Sequence, residues 1–168
     1  MSVNTPTVHL LCGYNGAGKT TYARAGRSSA ARSASVSING CSASTRNGAH
    51  AAACKGLIWD VALPIPALGH DVILNWNQWS RARRATWHDH AARAGYGVLL
   101  HYIQVPLAVA IARAKERAAA QVAGAHRLDA AGVRHLAALF EEPGGDEGLP
   151  IEIVRYRGGR SDDQPTDG

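Results

Sequence analysis

The chain has 168 residues, of which 46% are hydrophobic, and this fits one globular domain built around a single sheet. The formal net charge is +5, and no acidic residue precedes Asp60, so the segment before it favours anionic ligands. Three cysteines without a CxxC pair argue against a disulfide framework or a zinc site, and no apolar run reaches the ~18 residues of a membrane span. With no signal-peptide pattern at the start, we expect a cytoplasmic protein without a membrane partner.

Short apolar runs alternate with longer helix-forming segments along the chain. The runs are bounded by glycine or turn residues, which is typical of buried strands, and Ser80 is a good N-cap for one of the helices. The predicted strands are residues 7–12, 35–38, 71–75, 98–103 and 151–156. The predicted helices are residues 19–31, 80–94, 106–123 and 129–140. This alternation predicts an α/β fold with a mainly parallel sheet.

Two segments show no clear secondary-structure pattern. Residues 40–56 are rich in Gly, Ser and Ala, and no element can be assigned to them. Residues 158–168 form a polar tail that we expect to be disordered. Residues 1–157 are then predicted to form a single domain, because no linker or internal repeat divides them.

Residues 13–20 match the phosphate-binding P-loop pattern GxxxxGKT, directly after a predicted strand and at the start of a predicted helix. Glycines let the backbone approach phosphate oxygens, and the helix N-terminus favours an anion. We expect Lys19 to reach the β- and γ-phosphates of ATP or another nucleoside triphosphate, the Thr20 hydroxyl to bind Mg²⁺, and Thr21 to contact the α-phosphate. The predicted nucleotide-binding residues are Gly13, Tyr14, Asn15, Gly16, Ala17, Gly18, Lys19, Thr20 and Thr21.

Beyond this loop, the sequence resembles a group of small P-loop kinases that includes chloramphenicol phosphotransferase, zeta toxins and polynucleotide 5′-hydroxyl kinase domains. The resemblance covers most of residues 8–154. The segments that carry it are residues 71–75 (DVILN), 79–84 (WSRARR), 100–106 (LHYIQVP) and 140–143 (FEEP), together with Arg113, Arg117 and Glu147.

This resemblance implies a fold and an activity. The fold is the three-layer P-loop NTPase fold of nucleoside kinases, with a five-stranded sheet in the order 2-3-1-4-5, helices on both faces and a helical lid near residues 113–130. The activity is transfer of the γ-phosphate of ATP to a hydroxyl group. The same motif singles out Arg84 as a phosphate or acceptor contact.

Arg113 and Arg117 are four residues apart and share one face of a predicted helix. Like charges at this spacing cost about 0.2–0.5 kcal/mol unless an anion lies between them, and a bound polyphosphate is such an anion. We therefore predict that both arginines act in catalysis together with Lys19. The alternative is a solvated basic face whose charge is partly balanced by Glu116.

Two acidic positions of the resembling kinases carry no carboxylate in this chain. Asn39-Gly40 stands where an Asp normally activates the acceptor hydroxyl, and Asn75 stands where a second acid normally holds the water molecules of Mg²⁺. An amide accepts a hydrogen bond but carries no charge, so it takes no proton from a hydroxyl. Asp60 and His50 are the remaining candidates for a general base.

The segment that follows the third predicted strand lies at the carboxyl end of the sheet, where ligands enter an open α/β fold. Its tryptophan rings can stack on a cyclic group while its amides bind polar edges, which favours a nucleoside-like molecule or a polyhydroxylated natural product such as an antibiotic. The predicted acceptor-binding residues are Asn39, Asn75, Trp76, Asn77, Trp79 and Arg84. The alternative for either tryptophan is burial as a cap on the sheet.

The leading interpretation is an ATP-dependent phosphotransferase that acts on a hydroxyl of a small molecule. The missing carboxylates favour a second interpretation, a regulatory or degenerate kinase that binds ATP with weak or no transfer. A third is a polynucleotide 5′-hydroxyl kinase, which the basic first segment permits, although the sequence lacks the interleaved basic and aromatic residues that track single strands. The sequence leaves the oligomeric state open, including a homodimer.

Overall fold

The computed structural model describes residues 6–29, 33–34, 48–76, 78–120 and 129–156, with backbone alone for residues 26–29, 33–34 and 48–53. The strands in these ranges are β1 (Thr7–Cys12), β2 (Ser33–Ala34), β3 (Asp71–Leu74), β4 (Gly97–Gln104) and β5 (Ile151–Arg155). The helices are α1 (Lys19–Ser29), α2 (Gly48–Ala62), α3 (Pro64–Ala67), α4 (Arg81–Arg93), α5 (Leu107–Ala119) and α6 (Ala130–Ala138). A short 3₁₀ turn covers Gly145–Glu147.

The strands are parallel and form one sheet in the order β2-β3-β1-β4-β5. β1 is central, since Leu10 pairs with Leu74 of β3 on one side and with Leu100 of β4 on the other. β2 has two residues at one edge, so the four longer strands form most of the sheet. The α/β P-loop kinase fold expected from the resemblance is confirmed.

One face of the sheet packs against α2 and α4. Successive strand side chains point to opposite faces, so Leu10, Leu74 and Leu100 share this side, and all three are fully buried. They form one core cluster with Trp59 of α2 and Trp87 of α4. This cluster has more buried residues than those on the opposite face, so this face holds the main core.

The opposite face packs against α1 and α5. Leu11 and Ile73 contact Ala23 of α1, and Ile103 contacts Ala110 of α5. Helices on both faces give the three layers expected of the fold. The carboxyl ends of β1, β3 and β4 meet at one edge, where the loops that follow them can form a common site.

The sequence pattern did not predict helix α2 or the short helix α3. The apolar residues of α2 lie on all sides rather than on one stripe: Trp59 and Ala62 are buried, whereas Leu57 and Val61 are each 67% exposed. The amphipathic period that identifies a surface helix is therefore absent, and the Gly and Ala residues of its first half give no further signal.

Several predicted boundaries differ from the structure or fall outside it. The second strand was predicted at residues 35–38, but the described strand is Ser33–Ala34, and residues 35–47 lie outside the described ranges. The predicted lid includes residues 121–128, and the predicted disordered tail is residues 158–168; neither segment is described. Among the described helices, none combines the length and the apolar character needed to cross a membrane.

Candidate active site

The P-loop, residues 13–20, connects β1 to α1 and packs against β4 and α5. Gly13 and Gly16 have φ angles of 139° and 92°, which favour glycine. A Cβ atom at Gly13 would lie 2.6 Å from the Ile103 carbonyl oxygen, and one at Gly16 would overlap the Ala110 carbonyl oxygen. Both glycines are therefore needed for the loop to lie this close to its neighbours.

Lys19 folds back along the P-loop. Its Nζ donates hydrogen bonds of 2.8 Å to the carbonyl oxygens of Gly13 and Tyr14. Burial disfavours the charged form and, with a smaller contribution from the charge of Arg117, lowers the pKa of Lys19 to about 8. An anion bound at this loop would favour the ammonium form again. The arrangement agrees with the predicted contact between Lys19 and phosphate.

The end of β3 lies beside the first turn of α1. Asn75, which follows β3, is 8% exposed, and its Nδ2 donates a hydrogen bond of 3.0 Å to Thr20 Oγ1. The structure therefore brings Asn75 to the hydroxyl that is expected to bind Mg²⁺, as the sequence interpretation requires.

This pair of side chains fits a Mg²⁺ ion that is held mainly by phosphate oxygens and water. The hydroxyl of Thr20 and the amide oxygen of Asn75 are oxygen ligands of the kind that Mg²⁺ prefers. Within the described ranges, no group of three or more His, Cys, Asp or Glu side chains could hold a metal. Thr20 would bind the ion directly, and Asn75 would bind one of its water molecules.

Helix α5 brings the two predicted catalytic arginines onto the P-loop. Arg113 Nη1 donates a hydrogen bond of 3.3 Å to the Ala17 carbonyl oxygen, and Arg117 Nη2 donates one of 3.5 Å to Asn15 Oδ1. The Arg113 guanidinium also lies over the Tyr156 ring, 4.8 Å from its centroid. Both arginines thus lie at the predicted nucleotide site rather than on a fully solvated face.

Arg84 has a structural role instead of the predicted contact with phosphate or acceptor. It is fully buried on the same face of α4 as Trp87, and its Nε donates a hydrogen bond of 2.7 Å to Glu147 Oε2. Its Nη1 donates to the carbonyl oxygens of Gln78 at 3.1 Å and Glu141 at 2.9 Å. Through these hydrogen bonds, Arg84 holds the loop between α6 and β5 against α4.

The two tryptophans after β3 have different environments. Trp76 is 8% exposed, and its ring lies 4.7 Å from the ring of Trp87, so it caps the core and is not free to stack on an acceptor. Trp79 is half-buried, and the Arg83 guanidinium lies over its ring at 5.0 Å. A role in acceptor binding therefore stays a prediction for Trp79 and is withdrawn for Trp76.

Asp60, one of the two general-base candidates, lies away from the P-loop. It is exposed on α2, where the nearby Trp59 and Ala62 pack with Val8 and Val72 near the starts of β1 and β3. The P-loop begins at Gly13, five residues after Val8, which is about 16 Å farther along the strand. This separation argues against Asp60 as the base.

The remaining predicted site residues are placed only in part. Thr21 is exposed in the first turn of α1, and its contact with an α-phosphate stays a prediction. His50 lies in the first turn of α2, but its side chain falls outside what the structure describes. Asn39, Gly40 and Asn77 also fall outside the described ranges.

The loop between α6 and β5, residues 139–150, contacts the P-loop, although the sequence analysis predicted no role for it. The Phe140 ring lies 5.0 Å from the ring of Tyr14 and 5.9 Å from that of Tyr102. Glu142 Oε1 accepts hydrogen bonds from the Tyr102 hydroxyl at 3.0 Å and from Gln104 Nε2 at 3.3 Å. The FEEP segment carries part of the resemblance. Its contacts join residues that are far apart in sequence, so no local sequence pattern predicts them.

Known proteins share this fold and its P-loop. Residues 8–143 match the AAA domain family. No curated protein matches the chain in sequence. The chain is similar in structure to Chaetomium thermophilum Kti12 in complex with ADP-AlF3, with a TM-score of 0.70 and 16% identity over 91% of each chain.

Two further solved structures are similar. A gluconokinase from Sinorhizobium meliloti 1021 has a TM-score of 0.59 and 14% identity over 90% of this chain and 83% of that one. A candidate kinase from Chloroflexus aurantiacus j-10-fl has a TM-score of 0.63 and 20% identity over 90% of this chain and 89% of that one. The P-loop geometry, the strand order and the family match agree, and the chain therefore belongs to the AAA domain family and has the fold of small P-loop kinases.

Proposed function

We propose that this chain is an ATP-dependent phosphotransferase that moves the γ-phosphate of ATP to a hydroxyl of a small molecule. The observation that carries the proposal is that three cationic side chains meet on the P-loop. Lys19 bonds to its backbone, while Arg113 and Arg117 reach it from α5. Phosphoryl transfer depends mainly on positioning and on neutralising phosphate charge, and this set of cations supplies both.

Each group has its own part in this proposal. Lys19 binds the β- and γ-phosphates, and the backbone N–H groups of the P-loop surround the phosphates. Thr20 and Asn75 hold Mg²⁺, which neutralises phosphate charge when it is bound. Arg117 reaches the P-loop from α5, and its positive charge stabilises the negative charge that develops on the leaving phosphate.

The acceptor would enter at the carboxyl end of the sheet, between β3 and the start of α4. The half-buried Trp79 offers a ring for stacking, and Asn75 offers an amide beside the Mg²⁺ position. Aromatic and amide groups suit an uncharged hydroxylated ring, so we propose a nucleoside-like molecule or a natural product such as an antibiotic as the acceptor.

A second candidate function is that of a regulatory nucleotide-binding protein that transfers no phosphate to a small molecule. The observation that favours it is the contact between Asn75 and Thr20, which places an amide where the resembling kinases carry an acid. The similarity to Kti12 bound to ADP-AlF3 also allows this possibility.

Incubation with ATP labelled in its γ-phosphate and a panel of hydroxylated small molecules separates the two. The proposal predicts label in an acceptor, with no transfer by Lys19→Ala. Label that remains in ATP, or that appears only as inorganic phosphate across nucleosides, aminoglycosides and phenicols, would favour the regulatory protein.

A further inference from the structure

Glu142 lies in the loop between α6 and β5, which contacts the P-loop through Phe140. Phe140, two residues earlier, contacts both the Tyr14 ring in the P-loop and the Tyr102 ring near the end of β4. The Tyr102 hydroxyl donates a hydrogen bond of 3.0 Å to Glu142 Oε1, and Gln104 Nε2 donates one of 3.3 Å to the same oxygen. A chain of direct contacts therefore joins Glu142 to the loop that is expected to bind ATP.

Both donors bind one oxygen of this carboxylate and leave the other open. Glu142 is exposed, and in the part of the chain that the structure describes its Oε2 has no hydrogen-bond or ion-pair partner. Burial raises the pKa of Tyr102, and the bond to Glu142 raises it further, so the phenol stays a donor. A fixed carboxylate with one open oxygen has the form that a general base requires.

The other carboxylates in the loop between α6 and β5 bind residues of α4. Glu147 binds the buried Arg84, and Asp146 Oδ2 accepts a hydrogen bond of 2.6 Å from Arg81 Nη1. Glu141 Oε2 accepts one of 2.6 Å from the backbone N–H of Arg81. These contacts anchor the loop on the first turns of α4 and thereby fix where it meets the P-loop.

Carboxylates at the opposite end of the sheet are too distant for the same role. Asp60 lies toward the strand starts, and Asp71 is the first residue of β3, where its Oδ1 accepts a hydrogen bond of 2.8 Å from the Thr7 N–H. Glu142 differs from both because it bonds to Tyr102 and Gln104 at the carboxyl end of β4, two residues after Phe140, which contacts the P-loop residue Tyr14.

We propose that Glu142 is the general base of the phosphoryl transfer, which rests on the proposed function. The acceptor hydroxyl gives its proton to Glu142 Oε2 while its oxygen forms a bond to the γ-phosphorus. The bond between the γ-phosphorus and the β–γ bridging oxygen breaks, and ADP leaves with that electron pair. Glu142 thus supplies the general base that Asn39 does not provide.

Glu142→Gln tests this role, because the variant keeps an oxygen for Tyr102 and Gln104 to bind but takes no proton. Turnover of the γ-phosphate, to an acceptor or to water, should fall about 10²–10⁴-fold, while the Kd for Mg·ATP stays within about twofold. Glu141→Gln is the matched control, since it removes the adjacent negative charge but keeps an oxygen for the Arg81 N–H, and its turnover should stay near that of the parent. Tyr102→Phe removes one donor and should lower turnover without weakening Mg·ATP binding.

A second readout tests Glu142 even if the parent turns over no ATP, a result that would contradict the proposed function alone. ADP with aluminium fluoride mimics the phosphoryl group in transit with an attacking oxygen in line, so its affinity reports on the base without turnover. Glu142→Gln should bind this mimic about tenfold more weakly, with unchanged affinity for ADP. Unchanged affinity for the mimic in Glu142→Gln, or equal losses in Glu142→Gln and Glu141→Gln, would overturn the proposal.

Discussion

Asn75 Nδ2 donates a hydrogen bond of 3.0 Å to Thr20 Oγ1, which ties the end of β3 to the first turn of α1. The kinases that this sequence resembles carry an acid at this position, so the amide removes one negative charge beside the expected Mg²⁺. The amide also donates to the hydroxyl that would bind the ion and occupies one of its lone pairs. We therefore expect Mg²⁺ to contribute less to nucleotide binding here than it would beside a carboxylate.

Asn75→Asp should restore that contribution. With Mg²⁺ present, the carboxylate holds the metal water molecules through charge-assisted bonds, and ATP binding should tighten about three- to tenfold. Without Mg²⁺, the new charge repels the triphosphate, and binding should weaken. Calorimetric titration of both proteins with ATP, in Mg²⁺ and in EDTA, measures the two effects.

The opposite signs of the two effects of Asn75→Asp, with and without Mg²⁺, test whether Asn75 lies at the metal site. Asn75→Ala removes the side chain without adding charge, and its effect on affinity should have the same sign in both buffers. A uniform change in Asn75→Asp with and without Mg²⁺ would show that Asn75 lies outside the metal site.

Arg117→Ala should reduce turnover more than nucleotide affinity. Arg117 bonds to Asn15 at 3.5 Å and is placed to stabilise charge that develops during transfer, so we expect at least a tenfold loss of kcat and less than a threefold rise in the Kd for ATP. Lys115→Ala, at an exposed position of the same helix, is the control. Similar losses in kcat and affinity would mean that Arg117 acts only in binding ATP.

Arg84→Met should destabilise the fold and leave ATP binding intact. The pair Arg84 and Glu147 is almost fully buried, with side-chain exposures of 0% and 3%. Removal of one partner leaves an unpaired buried charge, which costs about 3–5 kcal/mol in the free energy of unfolding. Arg83→Met, a neighbour whose guanidinium lies over Trp79, should cost less than about 1 kcal/mol.

Urea denaturation measures both free energies of unfolding. The folded fraction of Arg84→Met should bind ATP with the affinity of the parent. Loss of ATP affinity in a stable Arg84→Met variant would mean that Arg84 contacts phosphate, as the family motif implies.

Lys19 should make ATP binding depend on pH. Burial lowers its pKa to about 8 in the nucleotide-free protein, and bound phosphate favours the charged form and raises that pKa. Binding therefore takes up a proton as the pH rises through 8, and the affinity for Mg·ATP should be steady below about pH 7 and about tenfold weaker at pH 9 than at pH 7. Lys19→Arg stays charged across this range and should lose the dependence.

Local features were predictable from the sequence. The P-loop could be predicted from its glycine positions and from Lys19 and Thr20 at the start of a helix, because the whole motif lies within eight consecutive residues. The end of β3 was also placed correctly, since a short apolar run with a polar boundary marks a strand end. Asn75 then had to lie at the carboxyl edge, and the structure places it on Thr20.

Features that depend on distant partners were not predictable. Arg84 was expected to contact phosphate or the acceptor because the family motif singles it out, whereas its partner Glu147 lies 63 residues later. Trp76 was expected to be available for stacking on the acceptor, but its ring packs against that of Trp87. Glu142 belongs to the FEEP segment of the resemblance, but no pattern indicated a catalytic role for it, because its contacts with β4 form only in the folded chain.

Nucleotide binding through Lys19 is the claim on which every other role in the site depends. Calorimetric titration with Mg·ATP, of the parent and of Lys19→Ala at pH 7, tests it most directly. Lys19 is the main point charge on the β- and γ-phosphates, so the variant should keep its fold by circular dichroism and bind ATP at least about tenfold more weakly. An affinity within about twofold of the parent would contradict the assignment of residues 13–20 as the nucleotide site.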